Sequence, residues 1–105
     1  MRPVVIHPDA HREIARISEW YDSRRNNYGT AFEAELDICL TKIAEHPLTY
    51  AVALEELQVR RALMPNFLFH IYFSEEDDQI KVWTVIHGNR SPRVWKSRVK
   101  RRRKE

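Results

Sequence analysis

Cysteine, glycine and long apolar runs are all scarce in this chain of 105 residues. A single cysteine, Cys39, excludes an internal disulfide and makes the cytoplasm the expected compartment. With two glycines, Gly29 and Gly88, there is no Gly-rich phosphate loop of the Walker or dinucleotide type. No apolar run approaches the ~20 residues that a membrane helix needs. The opening Met1-Arg2-Pro3-Val4-Val5-Ile6-His7-Pro8 is too short and too soon interrupted for a signal peptide, so no membrane partner is expected. The five histidines (His7, His11, His46, His70, His87) do not pair with acids at metal-ligand spacings. No Ser-His-Asp order can be read out either. The expectation is no metal, no cofactor and no small-molecule substrate.

What is present is a division of charge. Residues 1–89 carry 9 Lys+Arg and 14 Asp+Glu, a net of −5, whereas residues 90–105 carry 9 Lys+Arg and 1 Glu, a net of +8. An acidic body with a basic arm is suited to meeting something negative with that arm. The length and the 43% hydrophobic content fit one globular domain over residues 1–105, with a basic arm over about 90–105.

The periodicity predicts the elements. Val4-Val5-Ile6 reads as a strand that stops at Pro8, a good first-turn residue for a helix. Ala10, Ile14, Ile17 and Tyr21 then share one helical face, widened by Trp20, and the helix fades at Arg25-Asn26-Asn27. A second helix begins at Gly29-Thr30, with Thr30 and Glu33 at capping-box spacing. Its stripe is Phe32, Leu36, Cys39 and Ile43, with Leu40 beside it, and Pro47 ends it. On this stripe Cys39 reads as a packed apolar residue rather than a nucleophile. After a loop the period becomes two: strands over Gln58–Met64, Phe67–Ser74 and Ile80–His87, with an acidic turn at Glu75–Gln79. The expected fold is α+β, in the order β-α-α-β-β-β. A two-helix hairpin packs on one face of a small, mainly antiparallel sheet.

Alternation assigns the strand faces. Phe67, Phe69, Ile71 and Phe73, with Ile80, Val82, Thr84 and Ile86, are expected toward the helices. Leu68, His70 and Tyr72, with Lys81, Trp83, Val85 and His87, are expected on the other face. Val59 and Leu63 pointing inward would add Arg60 to that second face and leave Arg61 on the inward parity, an awkward place for a charge. One reading of the second face is a half-covered sheet whose aromatics rest under the C-terminal arm. The other is a cationic, aromatic-floored groove of Arg60, His70, Tyr72, His87 and Arg90, suited to RNA or an acidic peptide.

His87 is the acid/base candidate, since an unperturbed imidazole titrates near neutrality. RNA cleavage needs a base, an acid and positive charge on the phosphate. The candidate set is His87, with Tyr72 assisting and Arg60, Arg90 and Arg98 on phosphate. The structural alternative for His87 is a strand-end histidine hydrogen-bonded to the following loop.

Taken in order, these pieces resemble the RelE/ParE superfamily, the toxins of type II toxin–antitoxin modules, also called plasmid stabilisation proteins. The resemblance rests on Val5-Ile6-His7-Pro8-Asp9-Ala10, Ile17-x-x-Trp20-Tyr21, Gly29-x-x-Phe32 and Ile43-x-x-His46-Pro47-x-x-Tyr50. It continues through Val59-Arg60-Arg61, Phe67, Ile71-Tyr72 and Val82-x-x-Val85-Ile86-His87-Gly88-x-Arg90-x-Pro92-x-x-Trp95-x-x-Arg98. It implies a growth-inhibiting toxin neutralised by a cognate antitoxin. Its target would be DNA gyrase in ParE-like members, or mRNA on the ribosome in RelE-like members, which are endoribonucleases. The helix that bears lysines in the ribosome-dependent enzymes offers only Lys42 here, and the loop after it offers Glu55 and Glu56. The His-Gly-x-Arg-x-Pro segment looks more like the ParE-type branch. An acidic, apolar-stippled antitoxin segment is expected to cover Trp83, His87, Arg90 and Trp95. Target or antitoxin binding is further expected at Arg60, His70 and Arg98. A non-toxic nucleic-acid-binding module working through residues 90–105 is the third reading.

Overall fold

In the computed structural model, which describes residues 1–104, strand β1 (Val4–Ile6) leads into helix α1 (Pro8–Arg24). Glu105, the one acid of the basic arm, lies outside the described residues. Pro8 sits in the first turn, and His7 Nδ1 caps the helix by accepting from the Asp9 N–H at 3.1 Å. Asn27, at φ 65°, turns the chain into α2 (Tyr28–Glu45), which stops just before Pro47. The two apolar stripes form as the spacing predicts. Ala10 is buried, Ile14, Ile17 and Tyr21 pack partly buried, and Phe32, Leu36, Cys39, Leu40 and Ile43 are core residues.

Two helix details differ from expectation. Trp20 remains 52% exposed instead of widening the stripe, with the Arg24 guanidinium 4.7 Å from its ring centre. Thr30 and Glu33 form no capping box: left-handed Asn27 heads α2 without a side-chain cap, and Glu33 accepts from the Ser18 hydroxyl of α1. The helices meet at Gly29, where a Cβ would lie 2.3 Å from the Ser18 carbonyl oxygen. Absence of a side chain is what permits this approach.

The sheet comprises β1, β2 (Val52–Leu54), β3 (Val59–Leu63), β4 (Phe69–Glu76) and β5 (Gln79–His87), in the order β1-β5-β4-β3-β2. Only β1 is parallel to its neighbour. The β4–β5 turn is Asp77-Asp78, both at positive φ (53° and 59°), as a tight two-residue hairpin requires. The architecture is thus α+β with the helical hairpin on one sheet face. Short edge strand β2 was not expected; it adds to β3 at the far edge.

The basic arm is also a helix, α3 (Pro92–Arg103). The Ser91 hydroxyl caps it by accepting from the Arg93 N–H, and Pro92 occupies the first turn. Trp95, Val99 and Arg102, at i, i+4 and i+7, are its buried stripe. They pack with Leu54, Val59, Tyr72, Trp83 and Ile86 on the sheet face opposite the hairpin. The sheet therefore has a core on both sides, which resolves the awkwardness of an inward strand face. No helix of the described residues is long and apolar enough to cross a membrane.

The expected strand faces need two corrections. In β3, Arg60 pairs with Phe73, Arg61 with Tyr72 and Leu63 with His70. Opposed residues share a face, so Arg61 rather than Arg60 joins His70 and Tyr72, and Leu63 points away from the hairpin. In β5, the register shifts where Tyr72 pairs with Thr84 but Phe73 with Val82, leaving Trp83 as the extra residue of a bulge. Beyond it the parity is reversed. Val85 joins the hairpin core, Ile86 joins the α3 core, and His87 meets the Phe69 ring on the hairpin side at 5.3 Å between centroids.

Candidate functional site

The expected groove of Arg60, His70, Tyr72, His87 and Arg90 does not assemble, because the bulge and the β3 register distribute its members over two faces. His87, Arg90 and Arg98 do come together, joined by Arg16, in a shallow cleft that Phe69 and Glu13 also line. Its floor is an ion cluster. Glu13 Oε2 receives Arg98 Nη1 at 3.1 Å and Arg102 Nη2 at 2.7 Å. Glu13 Oε1 receives the Thr84 hydroxyl at 2.8 Å and the Val85 N–H at 3.2 Å, while Arg102 Nη1 donates to the Trp83 carbonyl at 2.9 Å.

The location explains the chemistry. β1 pairs with β5 only as far as Val82, so the bulged edge beyond it has backbone groups without a strand neighbour. Glu13 from α1 and Arg102 from α3 occupy that edge and satisfy them. Sequence reasoning passed over Glu13 and Arg102. Glu13 gives no local signal, since its partners are at least 71 residues away along the chain. Arg102 carries one: it completes the i, i+4, i+7 stripe after a Ser-Pro helix start.

Within the cleft, Asn89 N–H donates to His87 Nδ1 at 3.0 Å, and the Arg90 N–H closes a turn onto the His87 carbonyl. The bond to the following loop is the structural alternative foreseen for this histidine. It directs the proton of the neutral ring to Nε2. Arg16 and Arg90 are exposed, whereas Arg98 is held by Glu13. The cleft therefore offers an anion one imidazole and two guanidinium groups that meet no carboxylate among the described residues.

The remaining candidates lie elsewhere. Arg60 donates to the Tyr50 carbonyl at 2.6 Å and the Leu48 carbonyl at 3.4 Å, fastening the loop after α2 to β3. Trp83 is buried: its Nε1 donates to Ser74 Oγ at 2.8 Å, and Arg103 lies 5.7 Å over its ring. Trp95 is buried as well, stacked on Tyr72 with centroids 4.0 Å apart and planes 13° apart. Both tryptophans are thus covered by the chain's own α3. A partner meets neither of them unless α3 is lifted.

On the α3 face, His70 Nδ1 lies 3.4 Å from the Tyr72 hydroxyl, and its ring lies against Gly88. A Cβ at Gly88 would be 2.7 Å from His70 Nε2, which gives the His-Gly pair a packing reason. Burial raises the Tyr72 phenol pKa, with the Arg61 guanidinium pulling against it. Burial lowers the His70 imidazole pKa, helped by the positive charges of Arg61 and His87. A histidine whose folded pKa lies below its unfolded value binds its proton more readily in the unfolded chain. Its contribution to stability is complete above the unfolded value near 6.5 and is lost as pH falls through that value toward the folded one. The midpoint of urea unfolding is therefore expected to drop between about pH 7.5 and 5.5 in the natural protein and to stay flatter in His70→Gln. Equal slopes in the two proteins would rule this out. The depressed carboxyls of Asp9 and Glu76 act only at more acidic pH.

Much of the charge division is answered internally. Arg98 and Arg102 meet Glu13, Arg102 also approaches Asp9, Arg103 meets Glu76, and Lys100 meets Glu56. Among the described residues, Arg90, Arg93, Lys96, Arg101 and Lys104 of the arm have no carboxylate within ion-pairing distance. Arg93, Lys96, Arg101 and Lys104 border the outer groove of α3. No family model matches this chain, and no curated protein matches it.

Proposed function

We propose that the chain is the toxin of a type II toxin–antitoxin pair, acting by binding an essential macromolecular target, with DNA gyrase as that target, and neutralised by a cognate antitoxin. The observation that favours binding over cleavage is the separation of the groups that RNA cleavage would use. His87 and Arg90 line the cleft on one side, Tyr72 is sealed under Trp95 on the other, and Arg60 is spent on loop carbonyls at the far edge. A general acid must reach the atom it protonates, and the Tyr72 hydroxyl is enclosed. What the surface offers instead is exposed cations along α3 and in the cleft, the kind of surface that meets an acidic macromolecule.

Induced expression in cells decides between targets. Growth arrest with intact message and accumulating gyrase–DNA breaks is the expected result. Cuts phased to the ribosome would overturn it. One observation keeps the endoribonuclease reading open: His87, Arg90 and Arg16 share one cleft. His87→Ala removes the imidazole that lines this cleft, so undiminished toxicity in that variant dismisses the nuclease. A non-toxic nucleic-acid-binding module remains the third reading. It requires affinity that falls steeply with salt and with removal of the α3 cations.

A further inference from the structure

The sheet end beside α3 presents two leucines to water in a fixed frame. Leu63, opposite His70 on the α3 face, is 59% exposed because α3 reaches Tyr72 but not beyond it. Leu68 is 66% exposed and sits between Phe67 and Phe69, whose rings are turned into the hairpin core. Its φ of 57° is left-handed, a conformation that costs a branched L-residue about 1–2 kcal/mol. Such a conformation persists only where the surroundings impose it. Here they do. The Gly88 N–H donates to the Leu68 carbonyl at 2.9 Å, the Tyr21 hydroxyl reaches the Phe67 carbonyl, and Asn66 donates from both its backbone and its side chain to Glu35. A loop backbone fixed in this way has already lost the freedom that binding would otherwise remove.

The charges on the α3 side of these leucines are basic. Exposed Arg61 lies beside Leu63 on β3, His70 is paired with Leu63, and Lys96 stands 5.6 Å over the Trp95 ring that covers Tyr72. Toward α2, Glu35, held by Asn66, shares a pocket with Leu63 and Lys42, an acid and a base that offset each other. We propose that this end of the sheet docks an acidic segment of a partner protein, whose apolar side chains seat on Leu63 and Leu68 and whose carboxylates meet Arg61 and Lys96. A protein fits better than a nucleic acid because the exposed apolar groups are aliphatic. Bases stack on aromatic faces, and the Tyr72 and Trp95 rings are stacked on each other. The inference holds whether or not the chain inhibits growth, so it stands or falls separately from the toxin reading.

Selection of a displayed library of short random peptides on the full chain tests it. Enriched peptides are expected to be rich in Asp and Glu with spaced Leu, Ile, Val or Phe. They should lose about tenfold or more in affinity against Leu68→Ser or Leu63→Ser, and again against Arg61→Glu. These side chains are exposed, so the variants retain the fold, which circular dichroism checks. Several outcomes would overturn the proposal: no enrichment, enrichment of neutral or basic peptides, or unchanged binding by both serine variants. So would displacement of the peptides by a single-stranded RNA. Concentration-dependent dimerisation that Leu68→Ser abolishes would also overturn it, by assigning the surface to a second copy of this chain.

Discussion

Glu13→Ala should destabilise the protein by about 3–5 kcal/mol, measured as the free energy of urea unfolding. The size follows from what the substitution strands. Arg102, 6% exposed in its side chain, loses its closest carboxylate, and Arg98 loses the carboxylate it meets at 3.1 Å. The Thr84 hydroxyl and Val85 N–H lose their acceptor at the same time. A buried charge left without its partner costs far more than the intact pair contributes, because its desolvation is no longer offset. Small domains have only about 5–15 kcal/mol in total, so Glu13→Gln, which keeps an acceptor but removes the charge, serves as the milder variant. The glutamine variant should fall between the natural protein and alanine. Combining Glu13→Ala with Arg98→Met should cost less than the sum of the two, since they share one cluster. A loss below about 1 kcal/mol for Glu13→Ala would show that α1 and α3 are not joined through this carboxylate.

Trp95→Ala should cost a similar amount, about 3–5 kcal/mol, and Trp95→Phe should cost distinctly less. Trp95 is 5% exposed and lies flat on Tyr72, so its removal leaves a cavity between α3 and the sheet at the N-terminal end of the helix. The rest of α3 has little apolar surface with which to compensate: Val99 is its other buried apolar residue, and four of its last residues are basic. Hydrogen exchange should therefore show a local effect beyond the global one. Amides of residues 92–103 should lose protection while the centre of the β4–β5 pairing keeps its own. Uniform loss across the chain would mean that α3 unfolds only with the whole molecule. The outcome bears on function, because the cations of α3 form a surface only while the helix is docked.

The main elements were legible because their signals are local. A 3.6-residue period over Ala10–Tyr21 and Phe32–Ile43 needs no knowledge of what the stripe packs against, and both helices formed with those faces inward. The three strands after residue 58 were legible from alternation, and an acidic turn from its composition, although only Asp77-Asp78 turn while Glu75, Glu76 and Gln79 extend the strands. β2 escaped because three residues give too short a pattern. α3 escaped because its third buried position is an arginine, so the stripe Trp95, Val99, Arg102 reads as a charge run. The candidate site suffered most from the Trp83 bulge. Alternation assumes an unbroken strand, and one inserted residue moved His87 to the face opposite Tyr72.

By itself the sequence determined the α+β class, the helical hairpin, the antiparallel strands and the opposition of an acidic body to a basic arm. Tertiary structure alone decided which anions that arm meets first. Glu13, Glu76, Asp9 and Glu56 reach Arg98, Arg102, Arg103 and Lys100 from positions remote in the chain. It also decided that Trp83 and Trp95 are core, and that Leu63 and Leu68 are surface. The reason is physical: periodicity records how one element presents its own side chains, whereas pairing of charges and burial of faces depend on which other element arrives opposite them.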